Sequence, residues 1–543
     1  MKRALPWLVF GALTLACFWR FLFLGWTLYD VRTLEGHLGI RASETPGWFE
    51  SNRPSVDRGD TVLSLPMLHR LYGEGLHHGE LRLWNPYLFC GYPLYNNLLL
   101  HPFYPPNLLL HALAPPRVAY DLNLLLHFFF SGAAMYALLR GLGRSVPAAT
   151  LGGVLWMLIG YNSFWFSTGT FMGASVFAPL ALLGIHRGMA RRDLVPFALG
   201  GLAMGLVILG SHGQHALHVM IFLSTWLLVC LFRDRFALPG GAVFLGAAVG
   251  VGMAAILTQL DSVLNGLRVP GEDAILHYAS PWKLPTWIPN LALGKVCYAS
   301  DGLLRSEFTI YAGVAASTLA LVGAVRGFRD PGIRFLTVFS VVALLVAFVK
   351  PLALLLLQIP FLNLSMPARW VYILGFCVTL LAAAGLDAMR EDPARSFRLA
   401  LASVGAALVL FALYLPHGAV VETLVGLALA AGWVLTSKKP RLSLGLCFAA
   451  LIVDLLPNFV LFNAHAKPDA LDDPRARTSL AADPLPWRAT GGVRLASGPA
   501  DVNGWTVSIG SNLLALYGAE AVMGYESIAP LSTVQYCLAI SGP

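Results

Sequence analysis

Apolar runs of about 18 residues or more recur along the whole chain, and a run of that length reads as a helix that crosses a membrane. About thirteen such segments can be drawn: residues 5–28, 118–139, 147–167, 170–186, 196–213, 214–232, 238–262, 307–325, 334–350, 370–389, 398–415, 418–436 and 442–462. The expected class is therefore an all-α polytopic membrane protein. Composition agrees. Only 12% of residues are charged and 57% are hydrophobic, whereas a soluble domain carries roughly 25% charged residues.

The first run follows Met1-Lys2-Arg3 as in a signal peptide, and Ala16-Cys17 faintly resembles a lipoprotein cleavage site. The run continues to about Tyr29, too long for a signal core. It reads as the first spanning helix, with Arg20 reaching toward the outer surface. Cys17, Cys90, Cys230, Cys297, Cys377, Cys447 and Cys537 stand singly, mostly in apolar runs, without zinc or redox spacing. They read as small buried hydrophobes.

A net charge of +8 invites a nucleic-acid reading, but the basic residues punctuate the gaps between apolar runs. Arg140 and Arg144, then Arg187, Arg191 and Arg192, then Arg233 and Arg235 fall in alternate gaps. The series continues with Arg326, Arg329 and Arg334, then Arg390, Arg395 and Arg398, then Lys438, Lys439 and Arg441. The gaps around 167–170, 211–214 and 416–418 carry no Lys or Arg. By the positive-inside rule the N-terminus is expected inside.

Three longer stretches then fall outside: 29–117, 263–306 and the region from 463 to 543. Residues 1–462 thus form a multi-spanning membrane domain, and 463–543 an extracytoplasmic C-terminal region. Its end at Ser541-Gly542-Pro543 reads as a cut in a longer protein.

The first outer loop is the richest in signals. Asp57-Arg58-Gly59-Asp60 precedes an amphipathic stretch from Thr61 to His77 that suits a helix in the interface plane. Leu83-Trp84-Asn85-Pro86, Cys90-Gly91-Tyr92-Pro93-Leu94 and Phe103-Tyr104-Pro105-Pro106-Asn107 follow. An enzyme that takes a sugar from a lipid phosphate works at headgroup depth. It needs a carboxylate to deprotonate the acceptor hydroxyl, and cations or a divalent metal to stabilise the departing phosphate. Asp60 is the candidate base by position, with Asp57 and Asp30 in reserve; an N-cap for the following helix is the plainer role for Asp60.

These first-loop motifs resemble those of the bacterial YfhO-like membrane proteins, as do Pro66 six residues after Asp60, Glu307 with Tyr311-Ala312-Gly313, Pro367-Ala368-Arg369 before a helix, Asp454, and Met523-Gly524-Tyr525. Ser64 and Leu99 stand where that family often carries Gln. The family is similar to the GT-C glycosyltransferases, which use polyprenyl-phosphate sugars outside the membrane. The resemblance implies a GT-C-like helix arrangement in a bacterial cytoplasmic membrane, with inversion at the anomeric carbon. It implies Asp60 as the first-loop catalytic acid residue and favours Glu307 as a second carboxylate. Trp84, Asn85, Tyr104 and Asn107, within the matching motifs, become candidate substrate contacts.

Arg369 at an outer helix end suits a lipid phosphate or pyrophosphate; beside Trp370 it also suits an interfacial anchor. Lys350, opening a stretch that reads as re-entrant, is a weaker phosphate candidate than a snorkelling one. His101 and His277 are loop histidines that folding can bring to the site. His215 and His218 have spacing for a shared metal, or for plain polar caps near His212 and Gln214. Asp261, Glu272, Asp273 and Asp301 are further carboxylates of the second loop. Asp454 lies inside an apolar run, where a carboxylate is either functional or bonded to a neighbouring helix. Asp121 and His127 read as internal polar contacts. The leading expectation is a glycosyltransferase with a polyprenyl-phosphate donor and a cell-envelope glycan or lipid acceptor. A lipid-linked-saccharide flippase and a non-catalytic partner of envelope assembly are the rivals.

Overall fold

The computed structural model describes residues 4–29, 65–86, 91–97, 99–265, 311–414, 420–436 and 438–463. Asp30, Asp57, Asp60, Glu272, Asp273, His277, Asp301, Glu307 and the region after 463 lie outside the described residues. Helices dominate: α1 (Leu5–Leu24), α2 (Leu65–His77), α3 (Pro105–Leu113), α4 (Pro116–Gly141), α5 (Val146–Leu158), α6 (Gly160–Trp165), α7 (Met172–Arg191), α8 (Leu194–Leu209) and α9 (Gly213–Leu231). Then come α10 (Ala237–Asn265), α11 (Val314–Gly327), α12 (Pro331–Phe348), α13 (Lys350–Leu356), α14 (Val371–Glu391), α15 (Pro393–Tyr414), α16 (Val420–Leu435) and α17 (Pro440–Phe462).

Among the described residues, seven helices are long and apolar enough to cross a membrane: α1, α4, α9, α10, α12, α14 with its preceding turn, and α17. Shorter apolar helices add to them, α5, α8 and α11 included. The chain is a polytopic helical membrane protein. Exposed Leu, Val and Phe side chains line α1, α10 and α12, as expected where a helix faces lipid rather than water.

Packing relies on small residues, because lipid removes the hydrophobic drive between helices. Helix α7 meets α8 where a methyl placed on Gly184 would lie 2.5 Å from the Cα of Gly200. Helix α11 meets α14 through Gly323 and Gly385, each of whose missing Cβ would overlap a carbonyl of the other helix. Polar caps close the opposite ends: Asp193 accepts from Val195 N at 3.0 Å and Asp330 from Ile333 N at 2.9 Å. Arg326 pairs with Asp392 at 3.2 Å and Arg192 with Asp234 at 3.1 Å at basic ends of the bundle.

The segment 147–167, expected as one span, is interrupted. Helix α5 stops at Leu158, Ile159 is extended with ψ 142°, and α6 restarts at Gly160. The freed groups find partners: Gly160 N donates to Tyr311 O at 2.7 Å, Asn162 Nδ2 to Trp156 O at 2.7 Å, and Ser163 Oγ to Leu158 O at 2.8 Å. Non-helical backbone at membrane depth persists only when so satisfied.

The described part of the chain between α1 and α4 is a folded layer. A two-residue antiparallel pairing sets Trp84 opposite Pro93 and Asn85 opposite Tyr92. Gly91 turns at φ 95°, and a side chain there would strike the Trp84 indole at 2.7 Å. The apolar face of α2 is buried, and α2 packs on α3 and α4. The expected interfacial helix is thus covered by protein.

Candidate functional site

The ends of α7, α8 and α9 and the turn before α14 are laced together. Gly173 N donates to Gly210 O at 2.8 Å, Ala174 N to Ser211 Oγ at 2.7 Å, and His212 N to Thr170 O at 2.6 Å. Gln214 Nε2 donates to Met366 O at 2.7 Å, which fixes its amide, and its Oε1 accepts from Arg369 Nη1 at 3.1 Å. Arg369 sits in the Pro367–Trp370 turn of 3-10 helix, with its guanidinium 5.5 Å from the Trp165 ring centroid. A cation over an indole face is attracted by the ring's quadrupole.

Around this arginine, buried hydrogen-bonding groups lack partners among the described residues. Trp165 Nε1, Trp370 Nε1 and His215 Nδ1 are in this condition. His218 stacks on Trp370 with centroids 4.5 Å apart, and Tyr161 OH meets His215 Nε2 at 2.8 Å. Each such orphan costs about 1–3 kcal/mol, so several at one place mark a spot where a ligand or water completes the bonding. An indole N–H only donates, and a guanidinium only donates. Together they suit an anion.

His101 belongs to the same neighbourhood from the loop side. It is buried, adopts φ 50°, and leaves Nε2 without a partner. Burial, and secondarily His127, pushes its imidazole down to about 4. His215 lies within electrostatic reach of both His101 and Arg369. The structure thus brings Arg369, His101, His215 and His218 toward one region. Lys350 opens α13, and Phe348, two residues earlier, packs on Met366 and Ala368 of the Arg369 turn.

Other residues singled out in the sequence take these places. Tyr104 OH bonds His127 Nε2 at 2.5 Å, and its ring fills the space that Gly210 leaves. Asn107 Nδ2 donates to Leu100 O at 2.6 Å, and its Oδ1 accepts from Asn123. Asn85 is buried against Met67, while Trp84 is 54% exposed. Asp121 accepts from Leu28 N at 2.9 Å. Asp454 receives Tyr311 OH and accepts from Val314 N at 2.9 Å, so it caps α11 beside Gly313, whose φ of 84° only glycine adopts readily. Of the two roles open to Asp454, bonding to a neighbouring helix is the one on view. Among the described residues no group of three His, Cys, Asp or Glu side chains is placed to hold a metal.

Sequence reasoning missed Trp165 and the loop pair His69 and His111. The polar run Tyr161-Asn162-Ser163 inside an apolar stretch was the available signal for the break that positions Trp165. His69 Nδ1 and His111 Nε2 lie 2.8 Å apart, and His111 Nδ1 meets Asn107 O at 2.9 Å. Burial pushes His111 down to about 4 and, with His111 and His101 adding, His69 well below its usual value. These imidazoles are neutral when folded and bind protons only when exposed by unfolding. Stability from this layer is full above the unfolded value near 6.5 and falls toward pH 4, by about 1.4 kcal/mol per pH unit for each histidine. Thermal melts of purified protein should therefore be flat above pH 7 and drop steeply below 6. A drop equally steep in a His69→Gln, His101→Gln, His111→Gln triple variant would count against this origin.

No family model matches the chain, and no curated protein does. The resemblance to YfhO-like proteins rests on the quoted motifs alone. Among solved structures the chain is similar to the apo oligosaccharyltransferase of Archaeoglobus fulgidus, at 9% identity and a TM-score of 0.46 over 96% of this chain. It spans 64% of that protein's length, just under two thirds. It is similar also to ArnT from Cupriavidus metallidurans bound to undecaprenyl phosphate, at 15% identity and a TM-score of 0.46, covering 91% of this chain and 86% of that one. The same protein in its apo state aligns at 14% identity and a TM-score of 0.43, covering 90% and 84%.

Proposed function

We propose that this chain is a membrane glycosyltransferase that takes a sugar from a polyprenyl-phosphate donor and passes it to a cell-envelope acceptor at the outer face. The observation that carries the reading is Arg369, held by Gln214 over Trp165 among buried donors without partners. Such a setting favours a phosphate in the membrane interface, where fixed donors gain strength from low dielectric. Asp60 is the proposed base for the acceptor hydroxyl, with Asp57 and Glu307 as supporting carboxylates and Lys350 as a second cation. A divalent cation is compatible with this chemistry as a further neutraliser of phosphate charge.

Binding of undecaprenyl phosphate to the purified protein in nanodiscs tests the reading. Trp165→Phe keeps an aromatic face under Arg369 and removes one N–H. If that N–H meets the phosphate, affinity falls about tenfold or more, the usual worth of a hydrogen bond to a charged group. An unchanged affinity, or no saturable binding by the wild type, would overturn the assignment.

A second reading, a carrier for lipid-linked saccharides, draws on the interrupted α5–α6 helix, since carriers build sites from broken helices. The two readings separate on net transfer. A transferase releases undecaprenyl phosphate from a sugar-loaded donor, whereas a carrier only moves the intact donor between leaflets.

A further inference from the structure

A second site for a charged ligand lies at the far end of α14. This 21-residue helix carries Arg369 just before its first turn and Arg390 in its last, about 30 Å apart along the axis. Beside Arg390, the ends of α14, α15, α16 and α17 enclose a cavity of about 260 Å³. A single ordered water needs only about 10–15 Å³, so the space admits a headgroup-sized molecule.

The lining divides by chemistry. Met389, Trp433 and Leu444 give an apolar wall, and Trp433 is almost wholly buried. Arg390 and Lys438 stand at the polar side, with the Ser443 hydroxyl between the two kinds of surface. No carboxylate is among the described residues that line it. The nearby Asp392 is engaged by Arg326 and Arg395, and Asp387 by Ser145. Leu435, two residues after Trp433, and Leu442, beside Ser443, are exposed at 67% and 49%. Two cations over an apolar wall, flanked by exposed leucines, match a phosphodiester whose acyl chains continue into the bilayer. A free anion would have no use for the leucines.

We infer that this cavity binds the phosphate headgroup of an anionic phospholipid, from the leaflet opposite the Arg369 site. Basic pockets between helix ends are a recurrent way of holding such lipids. Occupancy bridges α14 to α16 and α17, whose adjoining turns carry Lys438, Lys439 and Arg441 in close sequence. With the cavity filled, mutual repulsion of those cations is relieved. The inference is independent of the glycosyltransferase reading.

The test measures the melting temperature of the detergent-purified full chain against added phosphatidylglycerol, phosphatidylcholine and inorganic phosphate. Phosphatidylglycerol is expected to raise it saturably, and the other two not. In Arg390→Gln, Lys438→Gln the half-saturating concentration should rise about thirtyfold, from roughly tenfold or less per cation near a lipid surface. The charge-keeping pair Arg390→Lys, Lys438→Arg should stay within a fewfold of wild type, which separates lost charge from lost folding. Arg187→Gln, Arg191→Gln, exposed on α7 away from the cavity, should match wild type. Equal stabilisation by inorganic phosphate would overturn the lipid assignment in favour of a free anion. Equal response to both lipids, or an Arg390→Gln, Lys438→Gln variant that responds like wild type, would remove the site.

Discussion

Gly385→Ala should cost about 3 kcal/mol or more, and Gly385→Val should leave little folded protein to purify. The reason is backbone contact. A Cβ on Gly385 overlaps the Leu319 carbonyl of α11 and lies 2.9 Å from Gly323 N, with no flexible side chain between to move aside. Overpacking in a core typically costs 1–3 kcal/mol when side chains can give way, and here two helix axes must part. Because α11 and α14 pack along their lengths, separating them at one point loosens the rest of the seam. Gly246→Ala on α10 is the matched control, since nothing lies within 4 Å of its missing Cβ. Monodisperse yield and thermal melting in one detergent decide the matter. If Gly385→Ala melts with Gly246→Ala, the close approach of these helices is wrong.

Arg369→Leu and Asp60→Asn should both lower sugar transfer by about 100-fold or more, and for different reasons. Loss of Arg369 removes the charged fork over Trp165 and leaves Gln214 Oε1 without its donor. Removing one fixed donor from an anion-stabilising site costs about 100- to 1000-fold, and undecaprenyl phosphate binding should fall in step. Asp60→Asn should bind undecaprenyl phosphate as the wild type does while transfer falls by about 100- to 10,000-fold, the span that general-base catalysis supplies. Binding and turnover measured on the same preparations make the comparison. An Asp60→Asn enzyme with near-normal turnover would end its role as base. An Arg369→Leu protein with normal affinity would move the phosphate elsewhere.

Much of the architecture was legible because lipid imposes coarse rules. Apolar length located α1, α4, α9, α10, α12 and α14, and the basic gaps fell at helix ends such as Arg390 and Lys438. Arg369 was legible as well, as an always-charged group at the mouth of a helix. The break at Ile159 was not, because its satisfaction depends on Tyr311, some 150 residues away in the chain. His69 and His111 were hidden for a similar reason. Each looks like an ordinary polar position of a short helix, and only the packing of α2 on α3 puts their rings 4.9 Å apart. Tyr104 and Asn107 sat in conspicuous motifs, yet their bonds go to His127, Leu100 and Asn123. Those partners are set by the packing of α3 on α4, which the motifs alone do not spell out.

Asn463 closes α17 by donating to Ser163 O at 2.7 Å and accepting from Ser167 N at 3.1 Å. Those two residues bracket Trp165, the platform beneath Arg369. Asn463, the last of the described residues, is therefore fastened to the platform's own footing. One side chain thus holds both flanks of that platform, so a change at the end of α17 reaches the seat of Arg369.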